Sequence, residues 1–190
     1  MHPSDVTRAL AKLAVVCVLA LATLLAPSVA AYAEPVTCDS LTISHRDGLA
    51  LKEGADFTYA SNVLTIKTLR PVVVRMSDQG DGASPDRIVV DPGETSTTHV
   101  MLSDVSIDVA DKIGAPALQV SSGLLELTLS GSSSLVSGYG SAGLQNNECP
   151  LTIKGSGELE AVGGYDGAGI GGGKDANGSN ITVEDGTVIA

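Results

Sequence analysis

Apolar and polar positions alternate with a period of two along most of the chain beyond its first 33 residues. The pattern runs through Val63 to Lys67 (VLTIK), Arg87 to Val90 (RIVV), Val105 to Val109 (VSIDV), Leu125 to Gly131 (LELTLSG), Leu151 to Gly155 (LTIKG) and Ile181 to Gly186 (ITVEDG). A period of two predicts short strands with one buried face. Leu125, Leu127 and Leu129 are expected to point inward, with Glu126 and Thr128 outward. No stretch of similar length in this region carries a helical period, so the predicted class is all-β.

The strands also recur. Leu127 to Gln145 (LTLSGSSSLVSGYGSAGLQ) aligns with Leu151 to Gly171 (LTIKGSGELEAVGGYDGAGIG) across one two-residue insertion, which sets Leu127 and Leu151 24 positions apart and Tyr139 and Tyr165 26 apart. ITV follows LTI by 30 positions, and VSIDV precedes LELTL by 20. Repeats of this length, made of strands and tight turns, predict a parallel β-helix in which each repeat is one coil and coils stack about 4.8 Å apart. Ala142 is then expected to stack on Ala168 and Leu144 on Ile170. An antiparallel sandwich also yields short strands with glycine-rich turns, but its neighbouring loops do not repeat in register. The less repetitive segment 34–79, which holds Phe57 and Tyr59, reads as lead-in strands and a cap; residues 80–190 read as the coils, with polar loops such as Ser77 to Asp86 protruding. The chain stops at DGTVIA in mid-strand, so further coils are expected in a longer protein.

The stretch GGYDGAGIGGG, Gly163 to Gly173, contains a G-x-G-x-x-G at Gly167, Gly169 and Gly172. A dinucleotide loop needs a strand before it, a helix N-terminus after it and an acidic residue about 20 positions on. Here KDANGSNITVEDG follows, which is turn chemistry and then a strand. The glycines are therefore expected at coil corners, where φ is positive or one coil's backbone passes close to the next. A calcium-binding roll needs GGxGxD in tandem, of which GGKDANG is a single degenerate echo.

Arg8 and Lys12 precede a 13-residue apolar run, Leu13 to Leu25, and the small residues of Ala31-Tyr32-Ala33 follow it. That is the layout of a signal peptide over residues 1–33. The run falls short of the roughly 20 residues that span a bilayer. A secreted or cell-surface protein without stable membrane insertion after cleavage is the expectation, an uncleaved anchor the alternative. The chain has 22 acidic and 11 basic side chains, a net charge of −11. Such a balance disfavours nucleic acid and anionic lipid and suits calcium, cationic surfaces or neutral partners; it also serves solubility alone. Cys38 and Cys149 remain beyond the signal segment, in a disulfide-permissive compartment. A bridge between them would close a loop of about 110 residues; set against it, a fold that grows along one axis separates them.

Polysaccharide chemistry on such a scaffold needs clustered carboxylates for hydrolysis, or carboxylates with a basic residue for elimination. Beyond the signal segment the chain has two histidines, His45 and His99, and no adjacent aspartate pair. Asp104, Asp108 and Asp111 come nearest to a cluster; alternation points Asp104 and Asp108 the same way, and solubilising charge explains them. No catalytic residue is expected. Asp78, Asp81 and Asp86 form one loop that could hold calcium with backbone carbonyls, and Asp175 with Asn177 forms another; ordinary loop polarity explains both as well. The chain has no Trp. Tyr139 and Tyr165, one per coil at the same corner, either stand outward as a platform for pyranose rings or turn inward and cap the core.

The segments DRIVVDPG, VMLSDVSID, AGLQ…LTIKGSGELEAVGGYDGAGIGGG and NITVEDGTVIA resemble the repeats of bacterial exported carbohydrate-binding-domain-containing proteins with GAGIGGG-type repeats, surface β-helices of Gram-positive bacteria. The likeness covers about Phe57 to Ala190. It implies a right-handed parallel β-helix, a pectin-lyase-like solenoid, secreted or at the cell surface, with a polysaccharide or glycan partner and an association with calcium. It brings no catalytic residue with it, and this chain departs from it in having Cys149 and so few coils. Two other functions fit the same pattern: the N-terminal part of a polysaccharide lyase or glycoside hydrolase with catalytic coils beyond residue 190, and a passive surface stalk.

Overall fold

A computed structural model describes residues 32–78, 82–93 and 95–190. The expected signal peptide, residues 1–33, lies almost wholly outside the described residues, as does Asp81. Among the described residues every regular element is a strand.

Two antiparallel hairpins open the fold. Strands β1 (Val36–Cys38) and β2 (Leu41–His45) form the first, and β3 (Phe57–Ala60) and β4 (Val63–Ile66) the second. Their tight turns use Asp39, Ser61 and Asn62 at positive φ, the left-handed conformation that short polar side chains tolerate. From β4 onward the chain winds. A first coil runs from β4 through β5 (Val72–Met76) to a bridge at Ser84. The second comprises β6 (Arg87–Val90), β7 (Thr97–Ser103) and β8 (Ser106–Asp108). The third comprises β9 (Leu118–Val120), β10 (Leu124–Ser130) and β11 (Ser132–Val136). Strands β12 (Leu144–Gln145), β13 (Leu151–Gly155) and β14 (Glu158–Val162) make the fourth, and β15 (Ile170–Gly171), β16 (Ile181–Val183) and β17 (Thr187–Ile189) the fifth.

Equivalent strands of successive coils pair in parallel, producing three faces. The first is ordered β3-β4-β6-β9-β12-β15, the second β1-β2-β5-β7-β10-β13-β16 and the third β8-β11-β14-β17. The protein is a parallel β-solenoid. Strand alternation fills its interior: Leu125, Leu127 and Leu129 are buried as expected, while Glu126 and Thr128 face outward. In the second face Val72, Val100, Leu127, Ile153 and Val183 stack in one column; in the first, Leu64, Ile88, Leu118, Leu144 and Ile170 do so. Each fully buried aliphatic side chain in these columns contributes about 1.5–3 kcal/mol.

Register differs from the sequence alignment in two places. Leu125, not Leu127, lies opposite Leu151, and Leu127 lies opposite Ile153. The spacing there is 26 positions, as it is for Leu144 and Ile170, so the two coils align without any insertion. A slip of two residues leaves every side chain on its own face, so hydrophobic alternation alone is blind to it. Second, VSIDV is not the counterpart of LELTL. Strand β8 belongs to the third face, with Ile107 opposite Leu135, and the partner of β10 is β7, with Val100 opposite Leu127.

Coil formation starts at Val63, inside the segment expected to be cap, because β4 and β5 already pair in parallel with β6 and β7. Among the described residues, β1 to β3 are the strands that precede the first coil. The disulfide is excluded by the same topology. Cys38 lies in the outermost strand of the second face and Cys149 just before β13, five strand spacings away, or about 24 Å. A disulfide needs Cα atoms within about 7 Å. Both residues are free thiols.

Candidate functional site

Between the third face and the first, successive coils turn through the same corner. Here Gly140 N–H donates to the Tyr165 carbonyl at 2.9 Å and Gly143 N–H to that of Ala168 at 3.1 Å, tying the fourth coil's turn to the one before it. The backbones pass so closely that a Cβ on Gly164 would lie 2.0 Å from the Gly138 carbonyl oxygen, and one on Gly167 2.0 Å from that of Ser141. No side chain fits in those gaps, which explains the glycine-rich stretch. Gly167, Gly169 and Gly172 lie in this turn and around the short β15, with a further turn and β16 following, so no helix N-terminus faces them.

Tyr139 and Tyr165 point out of this corner. They are 43% and 75% exposed, so of the two orientations open to them the outward one holds. Their rings stack at a centroid distance of 5.7 Å with 12° between planes. That separation is an offset stack, which leaves part of each face uncovered. Lys174, from the following turn, brings Nζ to 5.6 Å from the Tyr139 centroid and 3.6 Å from Asp166 Oδ2. The Tyr139 hydroxyl donates to the same Asp166 oxygen at 3.4 Å. The Tyr139 hydroxyl foremost, and then the Asp166 carboxylate, hold the Lys174 ammonium above the usual lysine range. The product is an apolar, offset pair of rings rimmed by hydroxyls, a carboxylate and an ammonium. Asp166 and Lys174 were not foreseen: Asp166 follows Tyr165 directly, but strand periodicity says nothing of a turn that returns Lys174 over Tyr139.

Of the first aspartate loop, Asp78 and Asp86 stand in different surroundings. Asp78 is exposed, whereas Asp86 is fully buried. Asp86 Oδ2 accepts from Ser40 N–H at 3.1 Å and the Ser40 hydroxyl at 2.6 Å; Oδ1 accepts from the Tyr59 hydroxyl at 2.9 Å and Asn62 Nδ2 at 2.8 Å. Burial pushes its carboxyl up, but these hydrogen bonds outweigh burial and leave it below the ordinary carboxylate range. Asp86 therefore fastens the cap to the first coil, and both its oxygens are engaged. At the other expected site Asp175 is exposed, and Asn177 Nδ2 donates to Glu148 Oε1 at 3.2 Å. Among the described residues no group of three or more His, Cys, Asp or Glu side chains is placed to hold a metal ion.

Asp104 and Asp108 serve corners rather than a cluster. Asp104, at φ 55°, accepts from Ser132 N–H at 3.0 Å, and Asp108 accepts from Ala110 N–H at 3.0 Å. On the outer side of the second face His99, Glu126 and Lys154 join three successive coils. Glu126 Oε2 lies 3.1 Å from His99 Nδ1 and 2.5 Å from Lys154 Nζ. The Lys154 hydrogen bond is the main cause holding the Glu126 carboxyl below its usual range.

No protein-family model, curated protein or solved structure matches the chain.

Proposed function

We propose that the protein is an exported, non-catalytic carbohydrate-binding module of the adhesin kind, acting at the cell surface and holding a neutral glycan at the Tyr139–Tyr165 corner. The observation that carries this reading is the outward, offset stack of two tyrosines with Asp166 and Lys174 at its rim. Pyranose rings present apolar C–H faces ringed by hydroxyls, and they pack on aromatic faces while bonding to nearby polar groups. The net charge of −11 favours a neutral glycan over a polyanionic one. Resemblance to exported carbohydrate-binding proteins through GAGIGGG-type repeats supports the same reading.

The test is retention of the purified protein on a panel of insoluble neutral polysaccharides, for wild type and for Tyr139→Ala/Tyr165→Ala, with calcium and with chelator. Retention on at least one polysaccharide, lost in the double variant and indifferent to chelator, is expected. Retention that survives the double variant removes this corner from the account, and retention on none of the panel by folded protein removes carbohydrate binding.

A further inference from the structure

Ile113 is the most exposed large apolar side chain of the solenoid, at 86%, and it stands 26 positions before Tyr139. Its turn is two residues longer than those of the tyrosines, since Asp108 pairs with Val136, 28 positions on, but the exit from the turn fixes its place. Gly114 N–H donates to the Tyr139 carbonyl at 2.9 Å, the same bond that Gly140 N–H makes with the Tyr165 carbonyl one coil later. Leu118, Leu144 and Ile170, five positions beyond the three residues, stack in register. Ile113, Tyr139 and Tyr165 are thus successive rungs of one column, one per coil, spanning two coil spacings or about 10 Å. Apolar side chains at such a corner gain nothing from the core, and the sequence places one there on three consecutive coils.

We propose that this column is a single binding strip lying along the solenoid axis, and that it takes a linear neutral glycan with one pyranose ring per rung, three rings in all. The proposal rests on the carbohydrate-binding reading above and adds the ligand's direction and length. Three observations select this occupant. The rungs are single side chains spaced by the coil rise, which is close to the length of one pyranose ring in an extended chain. Asp166 and Lys174 lie 3.6 Å apart and cancel each other at the tyrosine rungs, and Asp111 and Lys112, which precede Ile113, are likewise of opposite sign, so the strip has no net charge with which to hold a polyanion. Polar groups border the rings, as hydroxyl-rich sugars require and a lipid tail does not. Ile113 offers bulk but no aromatic face, so the third ring is held more weakly than the first two.

The test is isothermal titration of the full protein with neutral gluco-, manno- and xylo-oligosaccharides of two to five rings. In a series that binds, affinity is expected to rise from two rings to three and to level off beyond three. Ile113→Tyr is expected to tighten the three-ring ligand about fivefold and the two-ring ligand by no more than about the twofold that a second register supplies; Ile113→Asp is expected to weaken only ligands of three rings or more. Both substitutions fall on an exposed side chain, and an unchanged unfolding midpoint confirms folding. Affinity that levels off at two rings, or climbs past three, or ignores both substitutions, overturns the strip while leaving the tyrosine corner intact. If no series binds and Tyr165→Ala changes nothing, the parent reading fails instead. A concentration-dependent dimer abolished by Ile113→Asp would assign the column to a second copy of the chain and also overturn the proposal.

Discussion

Replacing Asp86 tests how the solenoid keeps its first coil covered. The carboxylate is fully buried and accepts four hydrogen bonds from Ser40, Tyr59 and Asn62, which lie in the turns and strands of the two opening hairpins. Asp86→Asn keeps the shape but swaps one oxygen for an NH₂. The Ser40 N–H cannot rotate away, so the amide oxygen must stay at the Oδ2 position, and the NH₂ then faces the Tyr59 hydroxyl and Asn62, which must turn to accept. Hydrogen bonds to a charged group are worth about 1.5–3 kcal/mol, so Asp86→Asn is expected to cost about 2 kcal/mol and Asp86→Ala, which strands the Ser40 N–H, the Tyr59 hydroxyl and Asn62 Nδ2 and leaves the Ser40 hydroxyl only Ser84 Oγ, about 3–5 kcal/mol. The folded-state pKa of Asp86 is depressed. Its stabilisation is therefore complete above the unfolded value of about 3.9 and lost as pH falls through the folded value. Urea unfolding of wild type and Asp86→Asn at pH 7 and at pH 3 is the assay. The gap between them should be full at pH 7 and shrink at pH 3. Equal stability at pH 7, or a gap that does not depend on pH, would refute the reasoning.

Other expectations are open to the same kind of measurement. Leu127→Ala, in the middle of an interior column, should cost about 2–5 kcal/mol by urea unfolding, because neighbouring coils constrain how far the cavity can collapse. Gly164→Ala should destabilise by more than about 2 kcal/mol, since its Cβ would meet the Gly138 carbonyl oxygen at 2.0 Å. Burial, then the charges of Asp86 and Glu53, push the Cys38 thiol up to about 11. A group whose folded pKa exceeds its unfolded value, about 8.5 for a thiol, stabilises below that value and loses the contribution as pH climbs toward 11. Unfolding titrations should thus show stability falling from about pH 9 upward, less steeply in Cys38→Ala. Tyr165→Ala, at 75% exposure, should leave stability within about 0.5 kcal/mol of wild type by urea unfolding.

Strand positions, the solenoid and the corner role of the glycines were legible because each rests on a local signal: alternation, turn residues and a repeat that outlasts one strand. Register was not. Alternation accepts Leu127 opposite Leu151 as readily as the true partner Leu125, because a two-residue slip keeps leucines inward. That slip concealed the 26-residue spacing of Leu118, Leu144 and Ile170, and with it Ile113, which shares no residue type with the tyrosines. In the sequence Asp86 groups with Asp78 and Asp81, because loop aspartates commonly face water. Its burial depends on Ser40, Tyr59 and Asn62, contacts at least 24 positions away that no local pattern encodes. The start of the first coil is hidden for a related reason: β4 and β5 carry the same alternation whether they pair antiparallel with the lead-in strands or parallel with the next coil.

The central claim, that the tyrosine corner is where a glycan binds, is tested most directly by following the tyrosine ring protons in NMR while a neutral polysaccharide fragment that retains the protein is titrated in. Tyr59, hydrogen-bonded to Asp86 away from the corner, is the internal control. The account predicts saturable shifts of the Tyr139 and Tyr165 signals with Tyr59 unmoved. Saturation of binding with both corner tyrosines unshifted would contradict it.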